Sequence, residues 1–403
     1  MHLSYENELI LHCAQVKIPP DKIDRVKKLI SRKPNWDKVL SFALSGGIAP
    51  LLYNSFKGIR ESSLIPPHIM DQLKEAYVQN LARNTYLCIE LRRILASFNN
   101  EDIDAVVLKG AALAGIVYPD IGLRVFNDLD ILVKKNDLPA AEKIMSKLNY
   151  ATNDSKEIRN DYRKNHHHLA PYIHPEKSTI VEIHWNISPY IQIDIDDWWD
   201  RVREATINDY KALILCPDDM LLHLSLHLFS GGYTGNTLRG ICDIAETLKY
   251  FWQEFNWRAI RTQIEKYNIS KEFYSILYVS KLLYGNDGNP LSSFDTHNAD
   301  LSLVSLMQKM ALSQDKASTV PGSVIKAIAA EHYSDKFDIL KRQIFPDRKQ
   351  MSIRYNVSVY SFRLYFCYLL RIIELCIKYG KTVLTTLFNN KKNIILSRFG
   401  SLP

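Results

Sequence analysis

The residues best equipped for chemistry stand in one short run, Asn127-Asp-Leu-Asp-Ile-Leu-Val133. Side chains two apart on a strand face the same way, so Asp128 and Asp130 share a face, with Cα atoms roughly 6.5–7 Å apart. Leu129 and Ile131 turn the other way, toward a core. Carboxylates so placed repel one another, and a hard divalent cation bound through oxygen relieves that repulsion. A third acid, Glu182, lies in Thr179–Ile187, where Glu182, His184 and Asn186 share one face and Ile183, Trp185 and Ile187 the other. An acid in the middle of an apolar-flanked strand needs a partner. Either a surface lysine or the same cation would serve, and the reading favours the cation.

Those residues must be held by something. Ala105–Leu108 reads as a buried strand that stops at Lys109-Gly110, and Ala111–Val117 as a short helix closed by Tyr118-Pro119 and Gly122. Val125–Val133 is then the strand that carries the two aspartates. A strand, a glycine and a helix start offer free backbone N–H groups and a positive helix end to an anion. Gly110 is expected to leave room for phosphate oxygens to approach. A phosphate site beside a cation site is the requirement of phosphoryl or nucleotidyl transfer.

On either side the pattern is mostly helical. Asp21–Ser31, Asn35–Leu44 and His68–Phe98 precede the central stretch. Asp137–Leu148 follows it as a helix, and Asn153–Lys164 reads as a loop or short helix. His166–Ile173 and Thr179–Ile187 then read as strands joined by His174-Pro-Glu-Lys-Ser. Helices are expected from Pro217, over Ile241–Phe251, Trp257–Lys266 and Lys271–Leu283, and over Leu301–Leu312. On the first of these, Asp219, His223 and His227 make one polar stripe. The glutamate of a zinc-protease helix is missing, because Leu224 follows His223, so the stripe reads as cleft-facing or as core histidines.

At 403 residues the chain can bury a sizeable core in two or three domains. No run of 18 apolar residues suggests a membrane span, and the N-terminus lacks a signal-like h-region. The six cysteines form no CxxC pair, so reduced thiols in a cytoplasm are expected. The expected architecture is α+β, a small mixed-sheet core embedded between helical regions. A helical region spans 1–100, the core 101–190, a helical region completing the cleft 191–335, and a basic, aromatic-rich helical C-terminus 336–403. From Lys336 onward thirteen Lys and Arg face three Asp and Glu, a surplus of +10 against +7 for the whole chain. There Tyr355, Tyr360, Phe362, Tyr365, Phe366, Tyr368 and Tyr379 interleave with Arg354, Arg363, Arg371 and Lys378. This suits a nucleic-acid groove or an acidic-lipid surface, or a helix that buries its aromatics behind a solvated basic face. The last is preferred.

Leu108-Lys-Gly-Ala-Ala-Leu113, Tyr118-Pro119, Arg124, Asn127–Val133 and Val181-Glu-Ile-His-Trp185 resemble a family of uncharacterised bacterial nucleotidyltransferases. That family belongs to the polymerase-beta-like nucleotidyltransferase superfamily. The resemblance spans roughly residues 30–260, and His223, His227 and Asp243 are similar to its later helical motif. It implies a cytoplasmic enzyme that moves a nucleoside monophosphate from an NTP, such as ATP, to a hydroxyl acceptor and releases pyrophosphate. Asp128, Asp130 and Glu182 would bind Mg²⁺ (or Mn²⁺) and carry catalysis. Lys109, Gly110 and Arg124 would bind the nucleotide, with His184, His223, His227 and Asp243 as possible cleft residues. Ala111 stands where the superfamily has a serine, and Lys109 is expected to replace that donor. The acceptor stays open among tRNA, protein and small molecules. Two alternatives remain: a catalytically degenerate nucleotide-binding or regulatory module, and a tRNA-binding protein acting through the basic C-terminus.

Overall fold

The first hundred residues form five helices: α1 (Tyr5–Cys13), α2 (Pro20–Ser31), α3 (Trp36–Ser45), α4 (Ala49–Lys57) and α5 (Pro67–Asn99). The structure, a computed structural model, describes residues 3–59, 63–153, 155–188, 191, 193–230, 237–285, 298–313, 345–346, 348–355 and 357–375. Local chemistry sets the helix starts. Ser4 and Asn35 accept hydrogen bonds from the backbone of Asn7 and Lys38, and Pro opens α2 and α5. The 33-residue α5 is the strut of this region. Its buried Asn80 donates to Gly122 O, and Asn84 to Ile121 O and Arg124 O, which pins the loop before the aspartates.

The sheet has six strands: β1 (Ala105–Val107), β2 (Asp128–Val133), β3 (Tyr172–Ile173), β4 (Ile180–His184), β5 (Arg203–Ile207) and β6 (Tyr210–Ile214). Their order is β3-β4-β2-β1-β6-β5. β1 runs antiparallel to β2 and parallel to β6, β2 runs parallel to β4, and β3 and β5 close the edges antiparallel. The chain is therefore α+β with one mixed sheet, as expected. Around it lie α6 (Lys109–Ile116), α7 (Leu138–Lys147), α8 (Lys156–Asn165), α9 (Ile195–Trp199), α10 (Pro217–Ser230) and α11 (Thr237–Tyr250). Then come α12 (Trp257–Lys266), α13 (Ser270–Tyr284), α14 (Leu301–Ala311) and α15 (Arg348–Tyr355). No described helix is long and apolar enough to cross a membrane.

Three local differences matter. β5 and β6 lie in a stretch expected to be helical. They turn at Asn208 and Asp209, both at positive φ, as a tight hairpin requires. Of His166–Ile173 only the last two residues pair as a strand, and His168 keeps a single bridge to His184. The C-terminal expectation is corrected for the described residues. Tyr360 and Phe362 are 94% and 78% exposed, Tyr365 and Phe366 are exposed too, and Arg371 is the buried one. A helix over 363–375 touches α15 through a small separate cluster of Met351, Leu364 and Cys367, which leaves its other faces uncovered. Tyr379 and Lys378 lie outside the described residues.

Candidate metal and phosphate site

Register brings the acids together. In the parallel β2–β4 pair Asp130 stands opposite Glu182 and Leu132 opposite His184. His184 Nε2 lies 2.9 Å from Asp130 Oδ1 and 3.5 Å from Glu182 Oε2. One ligand atom from each of Asp130, Glu182 and His184 lies within 4.8 Å of the others. Asp130 and His184 are buried and Glu182 is half-buried. His168 flanks the group, its Nδ1 3.9 Å from Glu182 Oε2. His184 Nδ1 and His167 Nδ1 are buried without a hydrogen-bond partner. Two carboxylates and an imidazole fit a divalent cation, and the nitrogen donor suits Mn²⁺ better than Mg²⁺.

Lys109 enters from β1. Its φ of 43° is left-handed, a costly conformation for a side-chain-bearing residue, and it opens α6 directly after the strand. Its Nζ donates to Asp130 Oδ1 at 2.7 Å. Burial alone would raise the Asp130 pKa, but the Lys109 ammonium and the His184 hydrogen bond outweigh it and hold the carboxyl well below its usual range. Burial likewise opposes the charge on Lys109, and Asp130 overcomes it, so the ammonium's pKa rises. Glu182 is also held low, burial being outweighed by its hydrogen bond with His184. Asp128 differs. It lies outside the tight group and accepts no hydrogen bond among the described residues. Burial and the charges of Asp130 and Glu182 push its pKa up.

Arg124 is engaged elsewhere. Its Nε and Nη2 donate to Asp243 Oδ1 and Oδ2 at 3.2 and 2.7 Å, and Tyr118 OH donates to Asp243 Oδ1 at 2.8 Å. The guanidinium also crosses Gly110. A Cβ there would sit 2.6 Å from Phe126 Cβ and 2.7 Å from Arg124 Nη1. Close packing under the loop, rather than space for phosphate, therefore explains the glycine. Ala111 is buried as well.

The α10 stripe divides. Asp219 is bound by Arg201 at 2.9 and 3.0 Å, away from the acids. His223 is buried, and burial together with the Lys109 charge holds its imidazole neutral. His227 keeps solvent access although protein crowds it, and that crowding with the Lys109 charge lowers its pKa. Reading the sequence missed His167 and His168, whose signal was the run of three histidines shortly before the third acid. It also missed Arg239, on the same helix as Asp243 and one turn earlier.

The chain is thus an α+β protein whose mixed sheet presents clustered acids beside a strand–helix turn. The family described as "Uncharacterised nucleotidyltransferase" matches residues 32–285, and the chain belongs to it. Among solved structures the chain is similar to an antigenic nucleotidyltransferase-like protein from Paracoccidioides brasiliensis. The two are 14% identical over 50% of this chain and 92% of that one, with a TM-score of 0.26, too loose to carry an argument. No curated protein matches.

Proposed function

We propose that the chain is a divalent-cation-dependent nucleotidyltransferase that transfers a nucleoside monophosphate from an NTP to a hydroxyl acceptor. One observation carries the reading: Asp130, Glu182 and His184 converge from two parallel strands to within 4.8 Å. Asp130, Glu182 and His184 would hold Mn²⁺ or Mg²⁺, with Asp128 at the edge of the site. Bound there, the cation would neutralise charge on the triphosphate and on the reacting phosphorus.

The chain's own groups do the rest. Glu182, the most accessible of the three, takes the proton of the acceptor hydroxyl. The acceptor oxygen then bonds to the α-phosphorus. The bond to the bridging oxygen breaks, and pyrophosphate leaves with the electron pair. Lys109, which donates to Asp130 Oδ1, would turn to the leaving phosphates if a cation took over that carboxylate. The Gly110 amide at the start of α6 completes the anion side, while Arg124 beside it stays tied to Asp243. We assign the acceptor cleft to the helical regions 1–100 and 191–335 around the 101–190 core, and leave the acceptor open among tRNA, protein and small molecules.

A second reading keeps binding without turnover, since Ala111 gives the phosphates no hydroxyl. Transfer of label from α-labelled NTPs to tRNA, protein extract and metabolites, with Mn²⁺ or Mg²⁺, tests the first reading. Asp130→Asn should lower transfer by at least ~10³-fold, about 4 kcal/mol of transition-state stabilisation. Transfer undiminished in Asp130→Asn would overturn the mechanism. Binding with no transfer to any acceptor would favour the second reading.

A further inference from the structure

Arginines in a half-buried position are normally paired, because an isolated guanidinium out of water is costly. Arg124 obeys this rule through Asp243. Arg239 does not: among the described residues it makes no hydrogen bond and no ion pair. It lies one turn before Asp243 on α11, so both side chains leave the same face of the helix.

Its seat is built by another region. Gly47 follows α3 at φ 65°, and Ile48 N–H donates to Ala43 O while Gly47 N–H donates to Leu44 O, a helix-terminating turn that favours glycine. The missing side chain also clears space. A Cβ on Gly47 would lie 2.6 Å from Arg239 Nη1 and 3.5 Å from its Cζ. The guanidinium thus approaches Gly47 through Nη1, and among the described residues no acid bonds to it. Burial and the neighbouring Arg124 charge both push its pKa down, while Asp243 and Asp128 act the other way without bonding to it. Arg124 and Arg239 both lie within electrostatic reach of Asp243 and Asp128, but only Arg124 bonds to a carboxylate, which leaves the donors of Arg239 free. A guanidinium held out of water with unused donors suits an anionic ligand that accepts from them.

We infer that Arg239, seated on Gly47, grips the β- or γ-phosphate of the NTP. This rests on the nucleotidyltransferase reading and adds to it the residue that recognises the polyphosphate. Arg239 would be the fixed donor, already oriented, and Lys109 the movable one. Arginine suits the task because its planar donors match phosphate oxygens in pairs.

The test is calorimetric titration with inorganic tripolyphosphate and with ATP, each with Mn²⁺, on the full chain and on Arg239→Gln and Arg239→Lys. The thermal midpoint is measured in parallel. Arg239→Gln should weaken tripolyphosphate at least tenfold, Arg239→Lys should recover part of the loss, and the midpoint should hold or rise as an uncompensated charge disappears. Unchanged affinity in Arg239→Gln, beside a wild type that binds, would overturn the role of Arg239 and leave the transferase reading standing. A fallen midpoint with intact affinity would overturn it as well, by making the residue structural. A wild type that takes up Mn²⁺ but no triphosphate would sink the transferase reading, and this inference with it.

Discussion

Two buried ionic clusters sit within the same site, and they are built to opposite ends. The Arg124–Asp243–Tyr118 clamp is closed: one cation, one carboxylate held by two of its nitrogens, and a phenol that donates to the same carboxylate. The Asp130 cluster is open. Three acids there face a single ammonium, and one of them, Asp128, accepts no hydrogen bond among the described residues. Both clusters bear the desolvation cost of buried charge, but only the clamp recovers it within the protein. The contrast supports the ligand site proposed at Asp130: the clamp satisfies itself, and the acid cluster is left one partner short.

Breaking the clamp should have the largest effect on folding. Asp243→Asn strands the Arg124 guanidinium in the interior and should cost about 3–5 kcal/mol of stability, read by denaturant unfolding. A loss under ~1 kcal/mol would mean that the clamp is no more structural than the acid cluster. Gly110→Ala comes next. Its methyl meets Phe126 and Arg124 at under 3 Å, so overpacking should cost about 1–3 kcal/mol, even without nucleotide. Intact stability with lost triphosphate binding would return Gly110 to a purely phosphate-facing role.

The smallest effect sharpens the contrast within the open cluster. Asp128 has a folded pKa above its ordinary 3.8, so the metal-free folded state holds its proton longer than the unfolded chain. Its ionisation therefore costs stability as pH rises from about 3.8 through that raised value, and Asp128→Asn should raise the thermal midpoint at pH 7. Asp130 has the opposite sign. Its depressed pKa contributes stability that is present above 3.8 and is lost as pH falls below it, so Asp130→Asn should lower the midpoint at pH 7. Calorimetric scans of the chelator-treated variants across pH check this. Shifts of the same sign for both would refute the division.

Much of this was legible in the sequence. Periodicity located α5, α10, α12, α13 and α14 because each buries one regular stripe. The strand–Gly–helix run and the Asp-x-Asp strand were visible because each is local. What escaped depends on distant chain segments. The partnership of Asp130 with Glu182 and His184 is set by parallel register, which no local pattern records. The β5–β6 hairpin was hidden because Glu204 and Lys211 leave its outer face polar, although Asn208-Asp209 was a usable turn signal. Arg239 gave no sign at all, since its meaning comes from Gly47 in another region. The aromatics of the 363–375 helix were expected inside because aromatic residues usually are. Tyr365 and Phe366 stand in solvent instead.

The central claim is that the Asp130 cluster binds a divalent cation, and Mn²⁺ titration without nucleotide tests it most directly. Wild type should bind Mn²⁺ at a saturable site, followed by calorimetry and by loss of the free-ion paramagnetic signal. Glu182→Gln should weaken that binding by about tenfold or more. Equal Mn²⁺ binding by wild type and Glu182→Gln, or none by either, would contradict the account.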